Sequence, residues 1–342
     1  MGMMPLADTL GRPLRTLRLS VTDRCNLRCQ YCMPEREYAW LPRADLLDFD
    51  EIARLASVFT GLGVRTIRLT GGEPLLRHDL PRLVARLAAP PSVELALTTN
   101  GLLLEPLAEP LRAAGLTRLN VSLDTLSPAR FQSLTGQDEH ARVIRSIRAA
   151  ARLFPGTKLD AVIMRGVNDD EIGALLEFGG AIGAEVRFIE YMDVAGATRW
   201  TVDAVLPGAE ILDRIRARYE AADAIAAPGS SAPASRFALP DGRTFGIIAS
   251  TTTPFCRECD RARLTADGIF YSCLYATEGL SLRSALRRGA SDGEIAALVE
   301  ARWRSRSDRG AEERAKLPHR GAYVPVDALR ADPHLEMHSR GG

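Results

Sequence analysis

Between Thr16 and Glu190, short β-type runs alternate with longer stretches whose apolar residues recur at helical spacing. The short runs predict strands at Thr16–Val21, Thr66–Leu69, Val93–Thr98, Arg118–Ser122, Lys158–Ile163 and Glu185–Glu190. The amphipathic stretches predict helices at Asp50–Leu62, Leu80–Ala88, Leu104–Ala114, His140–Leu153 and Asp170–Ile182. The first of them starts on a good N-cap residue and stops at Gly63. Strands separated by single helices imply parallel βαβ units with right-handed crossovers. Six such units in a row favour a curved, barrel-like sheet, with a flat doubly wound sheet as the structural alternative.

The pattern changes after Ala221. Ala226–Ser235 is rich in Ala, Pro, Gly and Ser and reads as a surface loop or linker. Arg236–Leu239 and Arg243–Ile248 flank Pro240-Asp241-Gly242, a hairpin signal. Helices are expected at Leu280–Arg288 and Asp292–Arg304, and no solenoid-type repeat is visible. The division predicted is a first domain over 1–225 and a C-terminal region over 226–342. The polar end, Ala331–Gly342, is flexible by default.

Charge narrows the partners. With 44 basic and 43 acidic residues the net charge is +1, which argues against a sequence-independent nucleic-acid binder but leaves room for local anion sites. Only Lys158 and Lys316 are lysine; every other basic residue is arginine. A retained lysine hints at a position that needs a point charge rather than a fork. Met1–Leu10 lacks the basic and apolar regions of a signal peptide, and no apolar run reaches membrane-spanning length. The expectation is a cytoplasmic chain with reduced thiols, whose six cysteines serve as metal ligands or catalytic groups.

Cys25, Cys29 and Cys32 follow the first strand directly, at spacings that let one loop wrap three thiolates around a metal centre. Three thiolates leave one iron of a [4Fe–4S] cluster open, and an open metal position is where chemistry happens. A structural zinc site and plain buried thiols are the alternatives that spacing leaves standing. Gly71-Gly72-Glu73-Pro74, Thr98-Thr99-Asn100-Gly101 and Ser122-Leu123-Asp124 end the next three strands. Each alone is a turn or cap. Together with the cysteine loop they sit at the C-terminal ends of four consecutive strands, where barrel folds assemble active sites. Cys256, Cys259 and Cys273 form a second triplet, Cys-x2-Cys-x13-Cys, for which a histidine-completed zinc site is again the alternative.

The Cys-x3-Cys-x2-Cys spacing, with Tyr31 before its last cysteine, resembles the signature of the radical S-adenosylmethionine superfamily. Two triplets resemble more narrowly the GTP 3′,8-cyclase family of molybdenum cofactor biosynthesis. The match runs from Arg18-Leu19-Ser20-Val21-Thr22-Asp23-Arg24-Cys25 through Arg187-Phe188-Ile189-Glu190-Tyr191-Met192-Asp193 to Cys259-Asp260-Arg261-Ala262-Arg263-Leu264 and Gly341-Gly342.

The resemblance implies an α/β fold: a partial (βα)6 TIM-like barrel with a C-terminal extension carrying a second iron–sulfur cluster. It implies two [4Fe–4S] clusters on Cys25, Cys29, Cys32 and on Cys256, Cys259, Cys273. S-adenosylmethionine would be contacted by Tyr31, Gly72, Ser122 and Met192. GTP would be contacted by Arg18, Arg68, Thr98, Lys158, Arg187, Arg261 and Arg263. In that family a 5′-deoxyadenosyl radical takes hydrogen from ribose C3′, and the carbon radical attacks guanine C8. The product, 3′,8-cyclo-7,8-dihydro-GTP, passes to cyclic pyranopterin monophosphate synthase. A flavodoxin-type electron donor, a homodimer, and insertion of the Gly341-Gly342 tail into the active site are implied as well, with no nucleic-acid or membrane partner. The competing expectations are a peptide-modifying radical enzyme with one auxiliary cluster and a non-catalytic zinc protein.

Overall fold

A computed structural model describes residues 6–89, 93–227 and 231–341. Twelve strands form one sheet among these residues. In chain order they are β1 Thr16–Ser20, β2 Thr66–Thr70, β3 Glu94–Thr99, β4 Arg118–Ser122, β5 Lys158–Ile163, β6 Glu185–Glu190, β7 Asp223–Ile225, β8 Ser235–Ala238, β9 Thr244–Ile248, β10 Arg261–Leu264, β11 Ile269–Tyr271 and β12 Leu280–Ser281. The sheet order is β12-β11-β10-β1-β2-β3-β4-β5-β6-β9-β8-β7.

The first six strands lie side by side in sequence order and are all parallel, so the doubly wound alternative is excluded. Two further parallel strands extend them, β10 beside β1 and β9 beside β6. Eight parallel strands curl into an open barrel. The chain from β9 to β10, residues 249–260, bridges the side left unpaired.

The helices pack outside, and capping chemistry fixes their starts. Phe49–Gly61 begins at Asp48, whose carboxylate accepts from the Asp50 and Glu51 amides while Glu51 reaches back to the Asp48 amide. The helix expected at Leu104–Ala114 is shorter, Ala108–Ala113, because Pro110 is tolerated only in the first turn of a helix. Asp170–Ile182 divides into a 3-10 turn, Asp169–Glu171, and the helix Ile172–Ala181. At Leu280 the chain first adds β12, and its helix is Leu282–Arg287, capped by Ser281. Helices at Pro128–Thr135 and Gly208–Tyr219 complete the ring. The hairpin forms as β8 and β9, with Gly242 at φ +85° in the turn. The expected loop Ala226–Ser235 lies partly outside the described residues, at 228–230.

Alternation along each strand sorts side chains between two environments. Leu17 and Leu19, Ile67 and Leu69, Leu95 and Leu97, Leu119 and Val121, Leu159 and Ala161, Val186 and Phe188 are all buried in the main core, against the helices. The intervening positions face the barrel interior and are largely polar: Thr16, Arg18, Thr66, Arg68, Thr98, Arg118, Asn120, Ser122, Asp160 and Arg187.

The C-terminal end departs from its default expectation. His338, Ser339 and Arg340 are buried at 4%, 0% and 1% exposure, in a short helix, Met337–Arg340. Arg340 accounts for this. Its guanidinium donates to the carbonyls of Leu274, Ala276 and His334 at 2.6–2.9 Å and lies 4.2 Å from the Tyr271 ring centroid. Gly341 is held inside the barrel; Gly342 lies outside the described residues.

Candidate active site

The barrel encloses a cavity of about 650 Å³, a size typical of small-ligand sites. Both cysteine triplets lie on its wall. Cys25, Cys29 and Cys32 follow the C-terminal end of β1. Cys256 and Cys259 precede β10, which is parallel to β1, so they lie toward the opposite end of the barrel. Cys273 follows β11, antiparallel to β10, and returns to that same end.

The turn after β2 seats the first loop. The Gly72 amide donates to the Thr22 carbonyl (3.0 Å) and the Glu73 amide to the Arg24 carbonyl (2.7 Å). A Cβ on Gly71 would stand 2.1 Å from the Thr22 oxygen, and one on Gly72 2.3 Å from the Arg24 oxygen. Only glycine lets the two backbones meet. Glu73 is 1% exposed and accepts from the Leu75 amide, the Thr99 hydroxyl and the Asn100 amide. Burial pushes its carboxyl up to about 7, against those three donors. Glu73 thereby ties the ends of β2 and β3. The Tyr31 hydroxyl donates to Asp124 (2.8 Å), whose other oxygen accepts from the Val162 amide (2.9 Å). Burial raises Asp124 to about 6.

The interior is strongly cationic. Arg18, Arg68, Arg187, Arg261 and Arg263 all line the cavity, with Thr98, and Arg18 faces both Arg68 and Arg263 in the strand register. Among the described residues none of Arg18, Arg68, Arg261 or Arg263 has a carboxylate ion-pair partner. Arg68 donates to the Thr98 hydroxyl (3.1 Å). Burial, reinforced by Arg263, Arg261 and Arg68, moves Arg18 well below the usual guanidinium value. Burial likewise brings Arg68 and Arg263 down to about 10. Guanidinium groups stay charged, so these shifts record crowded, poorly solvated cations.

Lys158 is the one expected site residue outside the cavity wall. It opens β5 beside the cluster, and burial together with Arg187 and Arg118 lowers its ammonium to about 8.

The donor set of each triplet suits a cluster with one open iron. Burial holds Cys25 up at about 12, a thiol that only a metal would deprotonate. For Cys259 burial raises the value too, but Arg261 and Arg306 outweigh it and bring the thiol to about 6. Arg261 also donates to the Cys259 sulfur at 3.6 Å. Among the described residues no three His, Cys, Asp or Glu side chains converge as the ligands of a single metal ion would.

Several lining residues escaped the sequence reading. Arg118, Asn120 and Asp160 face the interior, Asn120 donating to Asp160 at 2.7 Å and Arg118 pairing with Glu94 at 2.7 Å. The signal that could have found them is their alternation with buried apolar neighbours. His338 also reaches the cavity, edge-on to Tyr38 and Trp40. Arg18 and Arg263 both donate to the Gly341 carbonyl, so the tail meets the arginine cluster directly.

The Radical SAM superfamily model matches residues 19–179, and the Molybdenum Cofactor Synthesis C model matches residues 184–312. GTP 3′,8-cyclase 3 of Mycobacterium bovis is 52% identical over 344 residues, covering 99% of this chain and 91% of that protein. The GTP 3′,8-cyclase of Acidothermus cellulolyticus is 52% identical over 340 residues, covering 96% and 93%. Among solved structures, SuiB of Streptococcus suis bound to S-adenosylmethionine superimposes with a TM-score of 0.57 at 16% identity, over 84% of this chain and 68% of that one. That similarity concerns the fold. Among the described residues no helix is long and apolar enough to cross a membrane.

Proposed function

The chain belongs to the GTP 3′,8-cyclase family of radical S-adenosylmethionine enzymes, and on that premise we propose how its own residues carry the reaction. GTP is the substrate, and the product is 3′,8-cyclo-7,8-dihydro-GTP, with a new bond between ribose C3′ and guanine C8. Two [4Fe–4S] clusters and S-adenosylmethionine serve the enzyme; when bound, they supply the electron and the 5′-deoxyadenosyl radical that start the chemistry.

Cys25, Cys29 and Cys32 hold the first cluster, and Cys256, Cys259 and Cys273 the second. Gly72 presents backbone to S-adenosylmethionine, and Ser122 and Met192 contact it. Tyr31 joins them, its hydroxyl oriented by Asp124. The nucleotide sits between the triplets. Arg18, Arg68, Arg187, Arg261 and Arg263 receive its triphosphate and guanine oxygens, because planar forks bind oxyanions bidentately. Thr98, fixed by Arg68, adds a hydroxyl, and Lys158 a point charge at the edge. The 1–225 region carries the first site and 226–342 the second. A flavodoxin-type donor reduces the enzyme, cyclic pyranopterin monophosphate synthase receives the product, and the protein works as a homodimer in the cytoplasm.

The single observation that carries this reading is two thiol triplets facing one cavity whose wall holds Arg18, Arg68, Arg261 and Arg263, none with a carboxylate partner among the described residues. The test is anaerobic turnover of reconstituted protein with S-adenosylmethionine, a chemical reductant, and GTP, ATP or no nucleotide. Cleavage to 5′-deoxyadenosine accelerated by GTP, with a GTP isomer formed, is the expected result. Cleavage with no isomer would reopen the substrate.

A further inference from the structure

We propose that Asp8, Arg12 and Arg306 form a buried charged brace behind the second cysteine triplet, which positions Cys256 and Cys259 and raises the reduction potential of the cluster they hold. The proposal rests on the reading of that triplet as cluster ligands.

The three side chains are almost sealed from solvent, at 0% exposure for Asp8, 2% for Arg12 and 1% for Arg306. They come from opposite ends of the chain. Asp8 and Arg12 lie outside both matched family segments, and none of the three lines the cavity. They are therefore not substrate contacts. The Asp8 carboxylate takes the Arg12 Nε at 2.6 Å and lies 3.4 Å from the Arg306 Nη1. Its other oxygen accepts the backbone amides of Leu10 and Arg12 at 2.9 Å, which fixes the turn at Gly11.

The arginines point their remaining donors at the cysteine segments. Arg12 Nη1 donates to the Cys256 carbonyl and to the Asp308 carbonyl, both at 2.8 Å. Arg306 Nη1 donates to the Cys259 carbonyl at 2.8 Å. Asp308 in turn accepts the hydroxyl of Ser272, the neighbour of Cys273, at 2.6 Å. Every cysteine segment of the triplet is thus gripped. Trp303, fully buried, closes the rear: its Nε1 donates to the Arg12 carbonyl (3.2 Å), and the Arg306 guanidinium lies 4.5 Å from its ring.

Charge balance gives the brace its second role. Two buried guanidinium groups face one buried carboxylate; Asp308, 34% exposed, approaches Arg306 only to 3.9 Å. Among the described residues, Arg12 Nη2 and Arg306 Nε are buried with no hydrogen-bond partner. Buried, unbalanced positive charge is costly unless something negative lies nearby. A cluster held by three thiolates is anionic, and its one-electron reduction adds another negative charge. A fixed cation close behind the ligands favours the reduced form, as hydrogen bonds and net charge do at iron–sulfur sites generally. Asp8, Arg12 and Arg306 are positioning residues, acting through the cysteine loop.

The test is electron paramagnetic resonance titration of the reconstituted full-length protein under anaerobic conditions. The second cluster's signal is the one that persists when Cys25, Cys29 and Cys32 are all replaced by alanine. Arg306→Gln and Arg12→Gln remove charge while keeping N–H donors; Arg306→Lys keeps the charge without the fork. The expected result is a roughly tenfold lower reduced-to-oxidised ratio at fixed poise in either Gln variant, equivalent to about 59 mV for one electron, with Arg306→Lys close to the parent. Filled second clusters with unchanged potentials in both Gln variants would overturn the brace. A parent without a second cluster would instead overturn the reading beneath it, and this proposal with it.

Discussion

Replacing Gly71 by alanine puts the seating of the first cysteine loop to the test. The added Cβ would lie 2.1 Å from the Thr22 carbonyl oxygen and 3.2 Å from its carbon. An ordinary contact needs about 3.5 Å, so the two backbones must separate by roughly 1 Å or more. The obstacle is main chain on both sides, and no rotamer change relieves it. Separation breaks the bonds from Gly72 to Thr22 and from Glu73 to Arg24, each worth about 0.5–1.5 kcal/mol net. Gly71 also has φ +137°, where a residue with a side chain costs about 1–3 kcal/mol. Together these come to about 4 kcal/mol, close to a thousandfold shift away from the seated loop. The readout is iron and acid-labile sulfide after anaerobic reconstitution, with S-adenosylmethionine binding by equilibrium dialysis. Gly71→Ala should lose the first cluster's share of iron and its S-adenosylmethionine affinity while keeping the second cluster. A full complement of iron with parent-like binding would refute the seating argument.

Arg261→Ala and Arg263→Ala should each weaken GTP binding by roughly 10- to 100-fold, the range for a lost charged hydrogen bond, with both clusters retained. Calorimetry that finds parent-like affinity in both would remove these residues from the nucleotide site. GTP affinity should fall as pH rises through about 8, where burial and the neighbouring Arg187 and Arg118 place the Lys158 ammonium. The sign follows from linkage: a polyanion binds the protonated amine better, so binding takes up a proton above that pH. A Lys158→Met variant that keeps the same pH slope would assign the dependence elsewhere. Removing Gly341 and Gly342 should leave cluster content intact and abolish cyclised product, because the Gly341 carbonyl engages Arg18 and Arg263; undiminished product would show that the tail is dispensable.

The barrel was readable because each strand and helix carries its own local signal. The six predicted strands lie within one residue of β1 to β6 at each end, and Gly71-Gly72 could be placed by its position after a strand. What escaped depended on distant partners. Nothing local marks β9 and β10 as parallel extensions at the two flanks, since their neighbours β6 and β1 lie far away in sequence. The tail looked frayed because Arg340 is a polar residue near a terminus; its burial comes from carbonyls at Leu274 and Ala276, some sixty residues earlier. Arg118 was hidden by abundance. Among so many arginines it gave no motif, although Arg118-Leu119-Asn120-Val121-Ser122 alternates as Thr16-Leu17-Arg18-Leu19-Ser20 does.

The alternation along the barrel strands has a consequence for how this enzyme can vary. Neighbouring residues on one strand answer to different tests. Trimming Leu119 opens a void under the helices and lowers the melting temperature by the cost of lost packing, with little direct effect on ligand. Changing Asn120, one residue on, leaves the packing and alters what the lumen recognises. Stability and specificity are thus written in alternate letters of the same short words, and selection can revise one without rewriting the other.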